Sequence, residues 1–195
     1  MSVQVRPATA DRWSDLVRVF GRRGDDPSWC WCRLFLDSAT YESADSKPSL
    51  DNREALRQEI TRAAVAPGLL AYVGDQPVGW TRIGPRSDFP RVTGHRALAK
   101  VLTDDPRVWW VTCFAVDSRH RRSGVGSALL TAALEFAREH GATAVEGHPV
   151  DVAALSAARV GGSAVFTGTV AMFSAAGFSE VARTYRTRPV MRLLL

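Results

Sequence analysis

The sequence predicts a mixed α/β fold. Segments with strand character and segments with helix character alternate along the whole chain, and one continuous apolar run, "RVWWVTCFAV" from Arg107 to Val116, has the composition of a central strand buried on both faces. With 195 residues, of which 46% are hydrophobic, the chain is long enough to fill one hydrophobic core and is short for a protein with two cores. Since no repeat, low-complexity tract or change of composition divides it, we expect a single domain over residues 1–195.

The first half of the chain predicts strands, helices and two long connections. The stretch "SVQVRPAT" alternates as a strand does, and Asp11 is placed to cap a helix from Arg12 to Phe20. A second helix is expected from Asp51 to Ala64, and "LLAYVGDQPVGWTRIG" predicts a β-hairpin because two short apolar runs flank turn-forming residues. The long connections are expected at about 21–49 and at about 85–107, the latter with a short helix from Arg96 to Leu102.

The second half predicts a buried helix and three further strands. Directly after the central strand, an apolar stripe indicates an amphipathic helix that ends at Gly141. "ATAVEGHPV" predicts a strand ending at Pro149, and a connection at about 150–168 leads to a short helix from Thr169 to Ala176. Two final strands are expected at "FSEVART" and "PVMRLLL". The stripe consists of Leu129, Leu130, Ala133, Leu134 and Ala137.

Composition and charge limit the function classes. The net charge of +5 and the pI near 9.6 favour anionic partners. The first residues, "MSVQVRPATADRW", contain no apolar segment typical of a signal peptide, and the apolar windows are too short to span a bilayer, so we expect a cytoplasmic protein without membrane contact. The cysteines are Cys30, Cys32 and Cys113. Because their number is odd and two lie one residue apart, we expect reduced thiols, no disulfide and no metal site.

The turn after the central strand is the most informative stretch, "AVDSRHRRSGVGSALLTAALEFA". Its basic residues and two glycines, Gly124 and Gly126, lead straight into a helix, where converging N–H groups and the helix dipole favour a phosphate. A Walker loop does not fit because no Lys follows Gly126, and a dinucleotide fingerprint is disfavoured because Leu129 stands where a third glycine belongs. The pattern Arg-x-x-Gly-x-Gly remains.

These residues resemble the GNAT superfamily of acyl-CoA-dependent N-acyltransferases. The pyrophosphate loop of that family has the pattern Arg/Gln-x-x-Gly-x-Gly/Ala after a strand that ends in a hydrophobic residue, Ala, Val and Asp. The order of predicted elements from Val3 to Leu195, with a helix ending in "SAAGF", also follows the family. The resemblance implies a central, mostly antiparallel sheet of about six to seven strands, splayed between the fourth and fifth strands and flanked by about four helices. The matching residues are Phe114, Ala115, Val116 and Asp117, followed by Arg121, Gly124 and Gly126.

The resemblance also implies how acetyl-CoA would bind. Main-chain N–H groups of the loop would hold the pyrophosphate, with side-chain contacts from Arg121 and Ser127. The backbone edge at residues 114–116 would pair with the pantetheine arm like an added strand, and one N–H there would polarise the thioester carbonyl. The implied coenzyme contacts are Phe114, Ala115, Val116, Arg121, Arg122, Ser123, Gly124, Val125, Gly126 and Ser127.

The reaction implied by the resemblance is direct attack of an amine on the acetyl thioester. An alkylamine with a pKa of about 10.4 is mostly protonated at neutral pH, so a group must accept its proton. Glu146 and His148 lie two residues apart on a predicted strand, and therefore on one face, and are the candidate bases. The alternatives are a structural salt bridge for Glu146 and a polar position facing a loop for His148.

Two departures from the family concern the chemistry. Many members carry a Tyr that can protonate the departing thiolate at the position of Phe173, and some place a carboxylate on the central strand, which this chain lacks. In the family the acceptor pocket is shaped by segments that here are rich in aromatic residues. We select Trp31, Trp80 and Phe166 as its wall, and core packing is the alternative for each tryptophan.

The function expected from these features is transfer of an acetyl group from acetyl-CoA to a primary amine of a small molecule or peptide, by a monomer or a homodimer. A sensor that binds acyl-CoA without turnover is the alternative, and Phe173 favours it. A nucleic-acid binder is disfavoured, because the basic residues cluster at one turn and aromatic residues do not interleave with them.

Overall fold

Within the residues that the structure describes, the fold is built on one sheet of seven strands. The structure is a computed structural model, and it describes residues 2–20, 30–36, 48–155 and 165–195. The strands are β1 (Gln4–Pro7), β2 (Gly68–Val73), β3 (Gln76–Pro85), β4 (Val108–Val116), β5 (Ala144–Gly147), β6 (Ser179–Tyr185) and β7 (Arg188–Leu194). Their order across the sheet is β1-β2-β3-β4-β5-β7-β6. All neighbours are antiparallel except β4 and β5, which are parallel. The prediction of a mixed fold with a mostly antiparallel sheet is confirmed.

Helices pack on both faces of this sheet. In the described residues there are five α-helices: α1 (Trp13–Phe20), α2 (Pro48–Arg62), α3 (Pro90–Thr93), α4 (Val125–Glu139) and α5 (Val170–Ala175). The additional helix, α3, lies in the connection between β3 and β4, whereas the residues predicted to be helical from Arg96 to Leu102 mostly form turns. Pro90 begins α3 and Gly94 ends it, which are the usual roles of proline and glycine at helix ends. None of the described helices is long and apolar enough to cross a membrane.

The apolar stripe of α4 forms the larger core. Its five predicted residues are all buried and pack against the face of the sheet that carries Val78, Ile83 and Val111. Glu135 and Arg138, on the opposite side of α4, are exposed. The 3.6-residue periodicity therefore predicted the buried face of this helix correctly.

Two helix starts differ from the prediction. Asp11 lies inside a 3-10 turn (Ala10–Arg12) that precedes α1, so it does not cap that helix. α2 begins at Pro48 rather than Asp51, because proline is compatible with the first position of a helix, where no N–H partner is required. Most of the predicted connection at 21–49 and half of that at 150–168 lie outside the described residues.

The second core lies between the sheet and helices α1 and α2, and it contains a disulfide. Cys32 and Cys113 are bonded there, with their Cα atoms 6.7 Å apart and 81 positions between them in the sequence. The expectation of reduced thiols without a disulfide is therefore wrong for this pair. The odd number of cysteines leaves Cys30 as the free thiol, and burial raises its pKa.

Candidate functional site

The strands β4 and β5 separate part-way along their length. They pair up to Val111 and Gly147. Beyond that point β4 continues to Val116, still paired with β3, whereas β5 ends. A bulge in the pairing of β3 with β4 lies between Val111 and Cys113, at the point of separation, and bulges increase local twist. Residues 114–116 therefore have an edge without a neighbouring strand on the β5 side, which is the splay predicted between the fourth and fifth strands.

A sharp turn joins β4 to α4. The Asp117 carboxylate accepts a hydrogen bond from the N–H of Arg119 at 2.9 Å. Arg122 and Gly124 then adopt positive φ values of 60° and 87°, and α4 begins at Val125. Such left-handed residues turn successive N–H groups toward one point and create a concave site for an anion.

The N-terminus of α4 has no side-chain cap. Gly124 occupies the N-cap position and offers no oxygen to the first N–H groups, and residues 121–124 are exposed. The first N–H groups of a helix lack partners within it, and the helix dipole adds partial positive charge. A diphosphate therefore fits the donors of residues 122–126.

Two side chains of the turn hold its shape. The Nε of Arg121 donates to the carbonyl of Val116 at 3.3 Å, and the Oγ of Ser123 donates to the carbonyl of His120 at 2.6 Å. Ser127 is exposed on the first turn of α4. In this structure the main chain, more than these side chains, supplies donors to an anion.

The chain itself covers part of the open edge of β4. The N–H of Phe114 donates to the carbonyl of Phe166 at 2.6 Å. We call residues 165–168 the edge segment. It lies where an added strand would pair with β4, so any such strand must first displace the carbonyl of Phe166.

Hydrogen bonds from neighbouring elements hold the edge segment. The Nη1 of Arg188 donates to the Oγ1 of Thr167 at 2.7 Å and lies 3.4 Å from the carbonyl oxygen of His148. Gly168, with φ of 83°, accepts a hydrogen bond from the N–H of Val150 at 3.0 Å. The segment is thus tied to residues just beyond β5 and to the start of β7.

Glu146 is enclosed by two arginines. Its side chain is fully buried; one carboxylate oxygen lies 2.6 Å from the Nη1 of Arg86 and the other lies 2.7 Å from the Nε of Arg192. These contacts are those of the salt-bridge alternative. Because each oxygen already accepts from a guanidinium, proton uptake would break one of these bonds. The assignment of Glu146 as base remains a prediction, and this geometry favours a structural role.

His148 sits in a half-buried position at the end of β5. Its Nε2 lies 2.7 Å from the Oγ1 of Thr184 and 3.2 Å from the carbonyl oxygen of Arg188. A carbonyl oxygen only accepts, so this contact assigns the ring proton to Nε2 and leaves Nδ1 as the acceptor. Burial lowers the pKa of His148 to about 4, and the imidazole is therefore neutral at pH 7.

Comparison with known proteins identifies the family of the chain. The model of the acetyltransferase (GNAT) family matches residues 30–161, more than half of the chain. The chain belongs to the GNAT family. No protein of curated function matches its sequence.

Solved GNAT structures have the same fold. The chain resembles an acetyltransferase of the GNAT family from Streptococcus pneumoniae, with 14% identity, all of both chains covered and a TM-score of 0.54. It is similar to the GNAT domain of S. lividans PAT, with 20% identity, 99% of this chain and 90% of that chain covered and a TM-score of 0.59. A ribosomal-protein-alanine N-acetyltransferase from Brucella melitensis gives 19% identity, 98% and 99% coverage and a TM-score of 0.54. At these identities the likeness concerns the fold.

Phe173 lies beneath the splay of this GNAT fold. Its ring is fully buried and contacts Phe114 and Phe178 edge-on. A Cβ added at Gly147 would lie 2.5 Å from the Phe173 ring, so glycine is required for this close approach. Phe173 therefore supports the end of β5 by packing and has no hydroxyl with which to protonate a thiolate.

The three predicted pocket residues belong to one apolar cluster and differ in burial. Trp31 and Trp80 are 1% and 0% exposed and pack with Phe20 in the core, which is the alternative that the sequence left open. Phe166 is half-buried and stacks on Phe35, with ring centroids 6.1 Å apart. Their role in an acceptor pocket remains a prediction, and burial does not support it for the tryptophans.

Sequence reasoning missed the arginines of this site. Arg192 interrupts the apolar run of β7, and that interruption is a signal for a buried ionic partner. Arg86 directly follows Pro85, Arg188 directly precedes the predicted last strand, and neither position gave such a signal. Among the described residues, no group of three or more His, Cys, Asp or Glu side chains is placed to hold a metal ion.

Proposed function

We propose that the protein transfers an acetyl group from acetyl-CoA to an amine of a small molecule or peptide, and that the chain is one such domain. Membership of the GNAT family supports an acyltransferase. The observation that carries the proposal is the uncapped N-terminus of α4, placed directly after the open edge of β4. An elongated molecule with a diphosphate at one end fits these two features together.

Main-chain groups at the turn before α4 and along the edge of β4 bind the coenzyme. The N–H groups of residues 122–126 hold the diphosphate, and residues 114–116 pair with the pantetheine arm. When bound, acetyl-CoA supplies a thioester whose carbonyl carbon is open to attack by an amine. The N–H of Phe114 becomes available to the acyl oxygen once the carbonyl of Phe166 has left it.

Different roles fall to the two predicted bases. The two arginine partners of Glu146 support a role in fixing β5 against β7. The contact of Nε2 with the carbonyl of Arg188 leaves Nδ1 of His148 as the acceptor nitrogen, which supports a role in accepting the amine proton. With a pKa of about 4, His148 accepts that proton weakly. We therefore expect the acceptor to enter as the neutral amine and the rate to rise with pH through the pKa of that amine.

A sensor that binds acyl-CoA without turnover is the second candidate. Phe173 cannot protonate a thiolate, and the edge segment covers the N–H of Phe114. Both observations favour slow or absent chemistry without affecting the turn at α4. Binding of acetyl-CoA with no thiol release against any acceptor would select this candidate.

The experiment compares two glycine variants that carry the same strain. Gly124 and Gly141 stand at opposite ends of α4, both have positive φ (87° and 78°), and an added Cβ meets no atom within 4 Å at either position. Glutamate at both positions therefore costs similar backbone strain, and only Gly124→Glu brings a negative charge to the donors. The readouts are CoA affinity by calorimetry and thiol release with a panel of amines and peptides.

We expect Gly124→Glu to weaken CoA binding at least about a hundredfold through charge repulsion and a blocked approach, and Gly141→Glu to bind nearly as the parent does. Equal affinities of the two variants would contradict the loop assignment. Intact CoA binding without thiol release would contradict only the transferase activity.

A further inference from the structure

A cavity lies beside the end of β6, apart from the turn at α4. Its volume is about 620 Å³, which is in the range of about 300–1,000 Å³ typical of small-molecule sites. The walls come from the connection between α3 and β4 and from the last residues of β6, and none of residues 114–127 lines it. We call it the β6 groove. Its polar and aromatic lining consists of His95, Arg96, Lys100, Arg183, Thr184 and Tyr185.

The charged side chains of the β6 groove are all basic. Arg183 is already neutralised, since Glu180 and Asp151 lie 2.6 and 2.9 Å from its guanidinium nitrogens. Arg96 and Lys100 are exposed and have no ion-pair partner in the part of the chain that the structure describes. The groove thus presents two unpaired cations and no carboxylate of its own.

Contacts connect the β6 groove to the open edge of β4. The Oγ1 of Thr184, on the wall of the groove, lies 2.7 Å from the Nε2 of His148. The carbonyl of His148 faces Arg188, which holds Thr167 of the edge segment. The edge segment in turn binds the N–H of Phe114. Four successive hydrogen bonds thus link the wall of the groove to the N–H of Phe114 on β4.

An aromatic ring completes the groove. Tyr185 is 55% exposed, and His95 contacts it edge-on with ring centroids 6.3 Å apart. An exposed aromatic ring beside two cations suits an occupant that has both apolar surface and negative charge. Because the diphosphate of the coenzyme binds donors at the start of α4, the β6 groove remains available to the acceptor.

We propose that the β6 groove binds the carboxylate groups of the acceptor, and that the acceptor is an amine that carries such groups, as the amino terminus of an acidic peptide does. The inference rests on the proposed function. Arg96 and Lys100 bind the carboxylates, Tyr185 packs against the adjoining chain, and the amine extends out of the groove toward the end of β4. Strongly cationic amines are excluded by the same two charges.

The test uses two tetrapeptides with free amino termini, one with glutamates at its second and third positions and its twin with glutamines there. Binding is measured by calorimetry at low salt, without coenzyme and again with saturating CoA, so it does not depend on turnover. The groove variant combines Arg96→Gln with Lys100→Gln. The matched control combines Arg62→Gln with Arg138→Gln, which removes two exposed charges from α2 and α4.

We expect the glutamate peptide to bind more tightly than its twin, the groove variant to lose about tenfold of that affinity and the control to stay within about twofold. Equal binding of the two peptides, or unchanged binding to a folded groove variant, would overturn the proposal. So would an oligonucleotide that binds the parent protein more tightly than the glutamate peptide and depends on the same two cations. Failure of CoA to bind is a separate result, and it bears on the proposed function alone.

Discussion

Removing one hydrogen bond from the edge segment is expected to tighten coenzyme binding. Thr167 is buried, and its Oγ1 accepts a charge-assisted hydrogen bond from Arg188 at 2.7 Å. In Thr167→Val the shape is kept and this bond is lost. Because the segment covers the N–H of Phe114, the loss destabilises the covered state and leaves the uncovered state unchanged.

The size of the effect follows from the bond. A hydrogen bond to a charged group contributes about 1.5–3 kcal/mol, and the lower value applies here because Arg188 keeps a contact with the carbonyl of His148. A shift of about 1.4 kcal/mol changes an equilibrium tenfold, and apparent affinity scales with the fraction of molecules in the binding-competent state. The Kd for CoA should therefore fall by up to about tenfold.

Calorimetric titration with CoA measures this directly. Thr143→Val is the matched control, since Thr143 donates to Asp105 at 3.0 Å and lies away from the edge segment. The control should lose similar stability and keep the Kd of the parent. A folded Thr167→Val protein with an unchanged or higher Kd would refute the idea that the edge segment competes with the coenzyme.

Three further predictions concern stability. Glu146→Gln should lower the free energy of unfolding by about 3–5 kcal/mol because two arginines lose their carboxylate. The exposed Glu180→Gln, as the control, should lower it by less than about 1 kcal/mol. A stable Glu146→Gln protein without activity would instead support Glu146 as base. His148 has a folded-state pKa of about 4 against 6.5, so its unfolded form binds protons more readily, and stability should fall by about 2 kcal/mol between pH 7 and pH 5. Urea unfolding of His148→Gln should lack that loss, and an identical pH profile would contradict the assigned burial. Reducing the disulfide between Cys32 and Cys113 should lower the free energy of unfolding by about 4 kcal/mol, given the 81-residue separation. Non-reducing peptide mapping that finds both thiols free would contradict the pairing.

The elements that position the site could be predicted because their signals are local. An apolar run without interruption indicates a central strand, and the stripe of α4 follows the helical period from Leu129 to Ala137. The turn between them contains glycine at position 124, where the backbone needs a positive φ. Arg122 also adopts a positive φ, and its residue type gave no sign of it.

Contacts between distant segments could not be predicted in the same way. The hydrogen bond from Phe114 to Phe166 joins two main-chain groups, so the residue types at these positions do not predict it. Cys32 and Cys113 meet because Trp31 and Cys32 pack into the same apolar cluster as Cys113 of β4, and the local spacing of the cysteines suggested the opposite. The sequence placed Glu146 on the correct strand, but its role depends on arginines that lie 60 and 46 positions away.

The central claim is that main-chain N–H groups at the start of α4 bind the diphosphate of the coenzyme. Amide NMR spectra recorded during titration test it, with CoA in one series and pantetheine, which lacks the diphosphate, in the other. With CoA, the amide signals of residues 122–126 should show the largest shifts in the spectrum, and with pantetheine they should stay in place. Binding of CoA that leaves these five signals unmoved would contradict the account.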